Sequence, residues 1–554
     1  MSEQSWDAIV VGAGQGGLTA AAYLAAVGGQ RVLVLEANAI AGGSTQVFRR
    51  RGRFEFDVGT HYLPECGPGG VLHAAYQGLG LGERITFGRL DPDCFDRIVL
   101  PGGLDVAVPS DPAGYRERMA AALPGEADAV RAYADLLSEL YDQVRGAVIR
   151  PLGGAENPAA GPAVPNRWST ATLDRLMRHC GLSPRARTAL SAQSLNYGLG
   201  PSQVSALGHA AMLGDYLAGA WYPHGGGQML SATLLEVIDA YGGELRTRSR
   251  VGEILVEGGR AAGVRLTDGT ELRAPVVVSN ADYRRTMLEL VGAEHLPPAV
   301  AGRAERAVMA LPLVSVYLAV DAAAVRPQAH NIWWYETDDV DGVYERLNAG
   351  EFERPEMAFL SSGSAKNPLH EAADHHTIEI VTVVPPGWAP WAAEPAVAES
   401  YAYRRDEAYQ TEKERVGQLL LDLAERALGP LRPHLLHYEV ATPLTQTRFA
   451  GATGGTPYGL ATTPRQYGAL RPDHTSPVPG LFLAGSSSRN GCGISAVTVG
   501  GVRCAEAVLG QSLLSEVLAG KVYGSAAALP ERGPGWDPLL ASRGSRALKH
   551  RRRA

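Results

Sequence analysis

Cysteine is scarce: the 554 residues hold five (Cys66, Cys94, Cys180, Cys492, Cys504), an odd number, widely spaced and with no C-x-x-C pair. That excludes a disulfide framework and a thiol zinc site, and it suits a reducing cytosol, the compartment expected here. No run of 18 or more apolar residues occurs, so no transmembrane helix is expected. The apolar stretch beginning at Ala8 passes straight into glycines rather than a small-residue cleavage site, so it does not read as a signal peptide. An excess of one charge is also missing. Fifty-one Lys plus Arg against 58 Asp plus Glu leave −7, which gives no general drive toward nucleic acid or an anionic membrane. The local exception is a basic tail with Arg543, Arg546, Lys549, Arg551, Arg552 and Arg553. The stretch 526–554 is expected to be disordered, and its charge leaves peripheral membrane contact open.

What the sequence does have is an ordinary globular balance, 45% hydrophobic and 20% charged. At ~150 residues per domain the chain has room for roughly two to four domains. Its 66 glycines and 36 prolines carry no collagen-like period. They point instead to tight turns and to places where backbone approaches something closely.

The first such place is near the start. Asp7 to Val11 (DAIVV) is a short β-branched run that leads into Gly12-Ala13-Gly14-Gln15-Gly16-Gly17, a G-x-G-x-x-G followed by the helix-forming LTAAAYLAAV. The next strand, Arg31 to Leu35, ends at Glu36, nineteen residues after Gly17. In this pattern Gly12 permits the turn, Gly14 lets backbone N–H groups reach a pyrophosphate, and Gly17 allows close helix packing. An acid at the position of Glu36 accepts from a ribose hydroxyl and disfavours a 2′-phosphate. Strand, helix, second strand and acid in register predict dinucleotide binding. Gly42-Gly43-Ser44-Thr45 then forms a second glycine turn, and Phe54, Phe56 and Val58 alternate like a half-buried strand ahead of Gly59-Thr60-His61.

The acid, the double glycine and the FEFDVGTHY segment together resemble the phytoene desaturase, carotenoid isomerase and retinol saturase branch of the flavoprotein oxidoreductases, relatives of the monoamine oxidases. The segment Trp221 to Asp282 is similar to that family's middle cofactor segment. Read from its residues, it holds a helix from about Gln228 to Tyr241, then strands around Glu253 to Val256, Ala262 to Leu266 and Val276 to Ser279. Val478 to Gly510 reads as strand, glycine turn and helix, and resembles the segment that completes the cofactor site in these flavoproteins. SSGSAKNP, VPPGWAPW and the stretch from His437 to Gly459 look more like retinol saturases than bacterial desaturases. Arginines flank the double glycine in amine oxidases, whereas Ile40 and Ser44 stand there in this chain, which disfavours an amine substrate.

The resemblance covers roughly residues 5 to 515. It implies an α/β fold in which a Rossmann-type FAD-binding domain of the monoamine oxidase/phytoene desaturase kind is interleaved with an α+β, sheet-plus-helices substrate domain. The expected FAD-binding parts are 1–95, 240–300 and 436–525. The substrate parts are 96–239, expected to be helical and broken by a Gly/Pro-rich loop at 151–165, and 301–435, expected to hold the sheet. The cofactor implied is FAD. Its expected ligands are Gly12, Ala13, Gly14, Gly16, Gly17, Glu36, Ala37, Gly43, Ser44, Thr45, Gly59, Thr60, His61, Val251, Gly485, Ser486, Gly493, Ile494 and Ser495. Val251 is expected to meet the adenine through its backbone.

The implied substrate is a hydrophobic polyene or isoprenoid-like lipid whose C=C bond is saturated or isomerised. A carotenoid desaturase, an amine-oxidase-like oxidase and, outside catalysis, a lipid-binding chaperone of the GDP-dissociation-inhibitor kind are the alternatives. The intact fingerprint and Glu36 speak against the chaperone. Reduction needs a proton donor near the ring, for which His61, Tyr62, Tyr222, His224 and Cys492 are candidates. Trp333-Trp334-Tyr335 is a candidate for lining a lipid tunnel, although paired aromatics in a strand are more often core. No second G-x-G-x-x-G sits between strand and helix, so the electron donor or acceptor is open, as is the oligomeric state. Asp374-His375-His376 reads as a turn, with no further ligands at metal spacing, so no metal is expected.

Overall fold

The computed structural model describes residues 6–148, 167–370, 373–391, 400 and 402–544. The loop at 151–165 and the last ten residues of the basic tail lie outside them. Two main sheets organise the chain. The first has five parallel strands in the order Leu481–Leu483, Val276–Ser279, Ala8–Val11, Val32–Leu35 and Glu244–Arg246. Its central strands are buried throughout, which is why they read as unbroken apolar runs rather than alternating ones. Helices Gln15–Ala26, Gln228–Ala240 and Ile494–Leu509 pack together on it, and small residues set their spacing. A Cβ on Gly501 would lie 2.5 Å from the carbonyl oxygen of Gly16, so these two helices touch backbone to backbone. Gln15 adds a polar tie, donating to Thr498 at 3.0 Å and to the Tyr76 hydroxyl at 2.9 Å.

The second sheet has seven strands in the order Leu435–Ala441, Leu313–Asp321, His375–Val383, Met357–Ser361, Asn331–Tyr335, Asp96–Leu100 and Leu104–Val108. All neighbours are antiparallel except Asn331–Tyr335 with Asp96–Leu100. Helices Pro112–Ala122, Ala127–Val148, Leu173–His179, Pro184–Leu190 and Ala206–Leu217 share a core with one side of it, and helix Glu407–Leu428 covers the other. A small hairpin, Val47–Arg50 with Phe54–Asp57, connects the two bodies: Phe48 and Phe56 pack against Tyr317 at ring distances of 4.8 and 5.7 Å.

Several expectations about organisation are corrected. Residues 96–239 are not purely helical, because DRIVL and LDVAV form a hairpin over Pro101-Gly102-Gly103 that extends the seven-stranded sheet. Helix Gln228–Ala240 falls in that same expected segment yet packs on the Gln15–Ala26 helix of the parallel sheet. Leu435–Ala441, placed at the opening of the third cofactor part, is an edge strand of the other sheet, paired with Leu313–Asp321. Residues 526–544 are ordered against the parallel-sheet body. Ser542 accepts from Gln228 at 2.9 Å, the carbonyl of Arg543 accepts from Thr247 at 2.8 Å, and Arg532 pairs with Glu236. His375 and His376 open a strand rather than lie in a turn. No helix of the described residues is long and apolar enough to cross a membrane.

Candidate functional site

A single cavity of about 920 Å³ runs from the carboxyl ends of the parallel strands to the face of the seven-stranded sheet. Its first half is built from backbone. Gly12, at φ 94°, takes the left-handed turn that ends the Ala8–Val11 strand, and its N–H donates to Leu35 at 2.8 Å. The second glycine turn locks onto the first: the N–H of Gly42 donates to Ala13 at 2.7 Å, and a Cβ on Gly43 would lie 3.1 Å from Gly14 Cα. Helices Gln15–Ala26 and Ile494–Leu509 begin here with glycine at the N-cap, no capping side chain and no acid in the first turn. Their leading N–H groups and their dipoles therefore offer this end of the cavity to an acceptor or anion.

Glu36 closes the strand after the fingerprint. One of its oxygens accepts from the Ala13 N–H at 3.0 Å, and the other accepts from the Asn38 backbone and side chain at 2.8 and 2.9 Å. Burial raises its pKa against the lowering effect of those donors. Glu36 is also part of the cavity wall.

The wall also holds Gly12, Gly14, Gly16, Ala37, Gly43, Ser44, Thr45, Gly59, His61, Val251, Gly485, Ser486, Gly493, Ile494 and Ser495, residues that the sequence nominates as cofactor ligands. Ala13, Gly17 and Thr60 stand behind it. Ala13 is tied to Glu36, Gly17 packs so closely that a Cβ would lie 2.6 Å from the Gly12 carbonyl, and the buried Thr60 hydroxyl has no partner.

Two residues that the sequence did not reveal hold this half in shape. Asn280 sits beneath the fingerprint: a Cβ on Gly14 would be 2.7 Å from its Nδ2, and one on Gly485 would be 2.9 Å from its Oδ1, an oxygen without a hydrogen-bond partner among the described residues. The buried Arg471 donates to the carbonyls of Ser486, Ser488, Leu460 and Gln466 at 2.6 to 3.1 Å, which pins the Gly485–Ser488 turn. The only sequence cue for Asn280 is its place directly after the Val276–Ser279 strand, at a carboxyl end of the sheet. Arg471 carries no cue, because its partners are assembled by the fold.

The second half of the cavity is aromatic and aliphatic. Ser315, Val381, Phe359 and Trp333 stand in one row across four adjacent strands, each lining the space. Tyr62 and Tyr216 stack beside them at 4.1 Å. Trp333 thus combines both readings of the aromatic run, core and wall, while Trp334 and Tyr335 do not reach the cavity. Among the carboxyls here, Glu65 is paired with Arg145, whereas Asp215 has no ion pair within the described residues. Burial, then the charge of Glu65, pushes Asp215 up to about 7.

The proton-donor candidates separate. His61 lines the cavity, stands against Phe359 at 5.1 Å, and has an Nδ1 with no partner among the described residues. Burial and the nearby Lys366 ammonium lower its pKa to about 3, so the ring is neutral. Cys492 also lines the space, but burial raises its thiol and keeps it protonated. Tyr62 lines the space and turns its hydroxyl toward Asp96, at 3.4 Å. Tyr222 and His224 are not in the wall. The Tyr222 hydroxyl donates to Asp57 Oδ2, and His224 packs against Gly88.

Comparison with known proteins adds three findings. The family model described as flavin containing amine oxidoreductase matches residues 16–509. Among curated proteins, all-trans-retinol 13,14-reductase of Macaca fascicularis is 28% identical over 92% of this chain and 87% of its own length. Prolycopene isomerase 2 of an Oncidium hybrid cultivar is also 28% identical, over 91% and 84%. Among solved structures, an oxidoreductase from Methanosarcina mazei superimposes with a TM-score of 0.59 at 19% identity, covering 91% of this chain and all of that one. A putrescine oxidase bound to putrescine gives 0.57 at 17%, covering 92% and 99%. At those identities the two structures speak to the fold.

Proposed function

The chain belongs to the flavin-containing amine oxidoreductase family and is an FAD-dependent oxidoreductase, and on that premise we propose that it acts on C=C bonds of a hydrophobic polyene or isoprenoid-like lipid, by saturation or isomerisation. The observation that carries this reading is the two-part cavity: backbone donors and glycines at one end, and at the other a row of Val381, Phe359 and Trp333 with the Tyr62–Tyr216 stack. The names of its relatives, a retinol reductase and a prolycopene isomerase, favour the same substrate class.

The residues present fit the cofactor. The uncapped helix N-termini and the glycine turns packed against one another form a cradle whose backbone N–H groups suit a large, hydrogen-bonding anion. In this reading the Gly12–Gly17 and Gly43–Thr45 turns hold the diphosphate, Glu36 the ribose, the Val251 backbone the adenine, and Gly485, Ser486 and Gly493 to Ser495 the ring end. When bound, FAD supplies two-electron exchange with a carbon centre. The chain's own contribution is to orient the lipid along the aromatic row and to exclude water from it. The two interleaved units then divide the work, the parallel-sheet body holding the cofactor and the seven-stranded body the lipid.

Asp215 favours a second reading, an amine-oxidase-like enzyme, because an ammonium substrate would use a carboxyl at that end of the cavity. The deciding experiment is anaerobic incubation of the holoprotein, with its flavin oxidised in one arm and chemically pre-reduced in the other, with a panel of polyenes, isoprenoid lipids and amines, followed by product mass. A gain of two hydrogens marks saturation, an unchanged mass with altered geometry marks isomerisation, and a loss of two marks desaturation. Turnover of amines alone would overturn the lipid reading, and a protein that takes up no flavin would overturn the cofactor assignment.

A further inference from the structure

One pleat along from the aromatic row, the same face of the seven-stranded sheet turns polar. Tyr317 pairs in register with Glu379, Glu379 with Ser361, and Asn331 with Asp96, so a second row crosses adjacent strands two residues, or roughly 7 Å, from the row that lines the cavity. Every member is buried. Lys366, on the short helix Gly363–Lys366, lays its ammonium over this row, donating to Asn331 and Ser361 at 2.6 Å each. Asn331 in turn donates to Asp96 at 2.9 Å. Among the described residues, neither oxygen of Glu379 has a hydrogen-bond partner.

The segment after the Phe54–Asp57 strand crosses both rows. Asp57, held by the Gly227 N–H at 2.8 Å and by the Tyr222 hydroxyl, faces Glu379 and Lys366. His61 stands on Phe359, and Tyr62 reaches Asp96.

We propose that this polar row is a proton store for the cavity, in which Lys366, Glu379, Asp57 and Asp96 hold exchangeable protons and His61 passes one of them to a substrate. It rests on the C=C reading above, since saturation and acid-assisted isomerisation both need a proton at carbon. The electrostatics require stored protons. One ammonium faces three carboxyls in a buried wall, and a single cation cannot hold three neighbouring carboxyls ionised. Burial pushes Glu379 up to about 8, Asp57 to about 7 and Asp96 to about 6, and it lowers Lys366 to about 8. The other groups facing the store are Glu55 beyond Asp57, Tyr222 and Tyr317, and His330 beside Asn331.

The transfer balances as proton movement alone. His61 gives the proton on one ring nitrogen to the substrate, whose own electron pair forms the new bond. Its other nitrogen takes a proton from an O–H or N–H of the wall, the bonding pair staying on that oxygen or nitrogen, and water refills the wall. A neutral ring with an unpartnered nitrogen is the form that can do both.

The test is infrared difference spectroscopy of the full-length holoprotein between about pH 5 and pH 9, without substrate. The wild type should show a protonated-carboxyl C=O band at neutral pH that is diminished in Glu379→Gln. In Lys366→Met, which removes the cation, the band should grow and persist about one pH unit higher. After mixing into D2O, the isotope shift of the band should be at least about tenfold slower in His61→Phe if the ring is the conduit. Absence of the band at neutral pH, a band unmoved by both wall variants, or an exchange rate unchanged in His61→Phe would overturn the proposal. If Glu379→Gln fails to fold, Asp57→Asn takes its place. None of these readouts depends on turnover, so a wild type that behaves as stated yet converts no polyene or isoprenoid would sink the substrate reading and leave the store standing.

Discussion

Glu36→Gln exchanges one oxygen for an NH2 group at constant volume, yet it should cost about 1–3 kcal/mol at one identifiable bond. Both carboxylate oxygens accept: one from the Ala13 N–H at 3.0 Å, the other from the Asn38 backbone and side chain at 2.8 and 2.9 Å. A glutamine has one acceptor end and one donor end. Its less costly orientation keeps the carbonyl on the two Asn38 donors and turns the NH2 toward Ala13, whose N–H is buried and would then face another donor. Amide hydrogen exchange of the cofactor-free protein, resolved by mass spectrometry on the peptide containing Ala13, reads that bond directly. Protection there should fall about 5- to 150-fold, the ratio equivalent to 1–3 kcal/mol, with little change in the seven-stranded sheet. In the proposed reading Glu36 also holds the ribose, so flavin affinity should fall as well, by about tenfold. Unchanged protection at Ala13 would refute the view that Glu36 holds the fingerprint turn before any ligand arrives.

Gly17→Ala would place a Cβ 2.6 Å from the Gly12 carbonyl and 2.8 Å from Asn280 Cβ, so overpacking of about 1–3 kcal/mol should lower the denaturation midpoint and the flavin content together. His209 is buried between the hydroxyls of Tyr133 at 3.1 Å and Tyr197 at 3.0 Å, and burial lowers its pKa to about 3. Its folded pKa lies below the unfolded value of about 6.5, so its contribution is complete above that pH and is lost as the pH falls toward 3, about 2 kcal/mol by pH 5. Urea unfolding of the wild type and His209→Gln at pH 7 and pH 5 should show a shallower pH dependence in the variant, and equal dependence would contradict the assignment. His224→Ala should leave turnover and flavin content at wild-type levels, since the ring lies against Gly88 outside the cavity wall. A large loss of kcat would return it to the candidates.

How much of the site was legible followed from the range of each signal. The Gly12–Gly17 turn, Glu36 and the Gly42-Gly43 turn fall within about forty residues of one another, and each is a backbone demand that one residue type meets. The strand–helix–strand order therefore placed them before any tertiary contact was known. The Asp96–Leu100 and Leu104–Val108 hairpin adjoins a long helical stretch, and DRIVL has no polar–apolar alternation to set it apart. Tyr222 and His224 shared a segment with the cofactor motif while their side chains are held elsewhere, Tyr222 by Asp57. In a strand, adjacent positions face opposite ways, so membership of a segment says little about direction.

By itself the sequence determined the glycine-turn end of the cavity, because such turns are built from backbone and their glycines are written locally. The aromatic end of the cavity and the polar row beside it were decided only by tertiary structure. Ser315, Trp333, Phe359 and Val381 become one row, and Asp96, Asn331, Ser361 and Glu379 another, through strand register across up to some three hundred residues of chain. Register is a property of the paired sheet, and no single strand carries it. The same holds for Lys366: its sequence neighbours mark a short turn of helix, and only the fold lays its charge over carboxyls contributed by three separate strands.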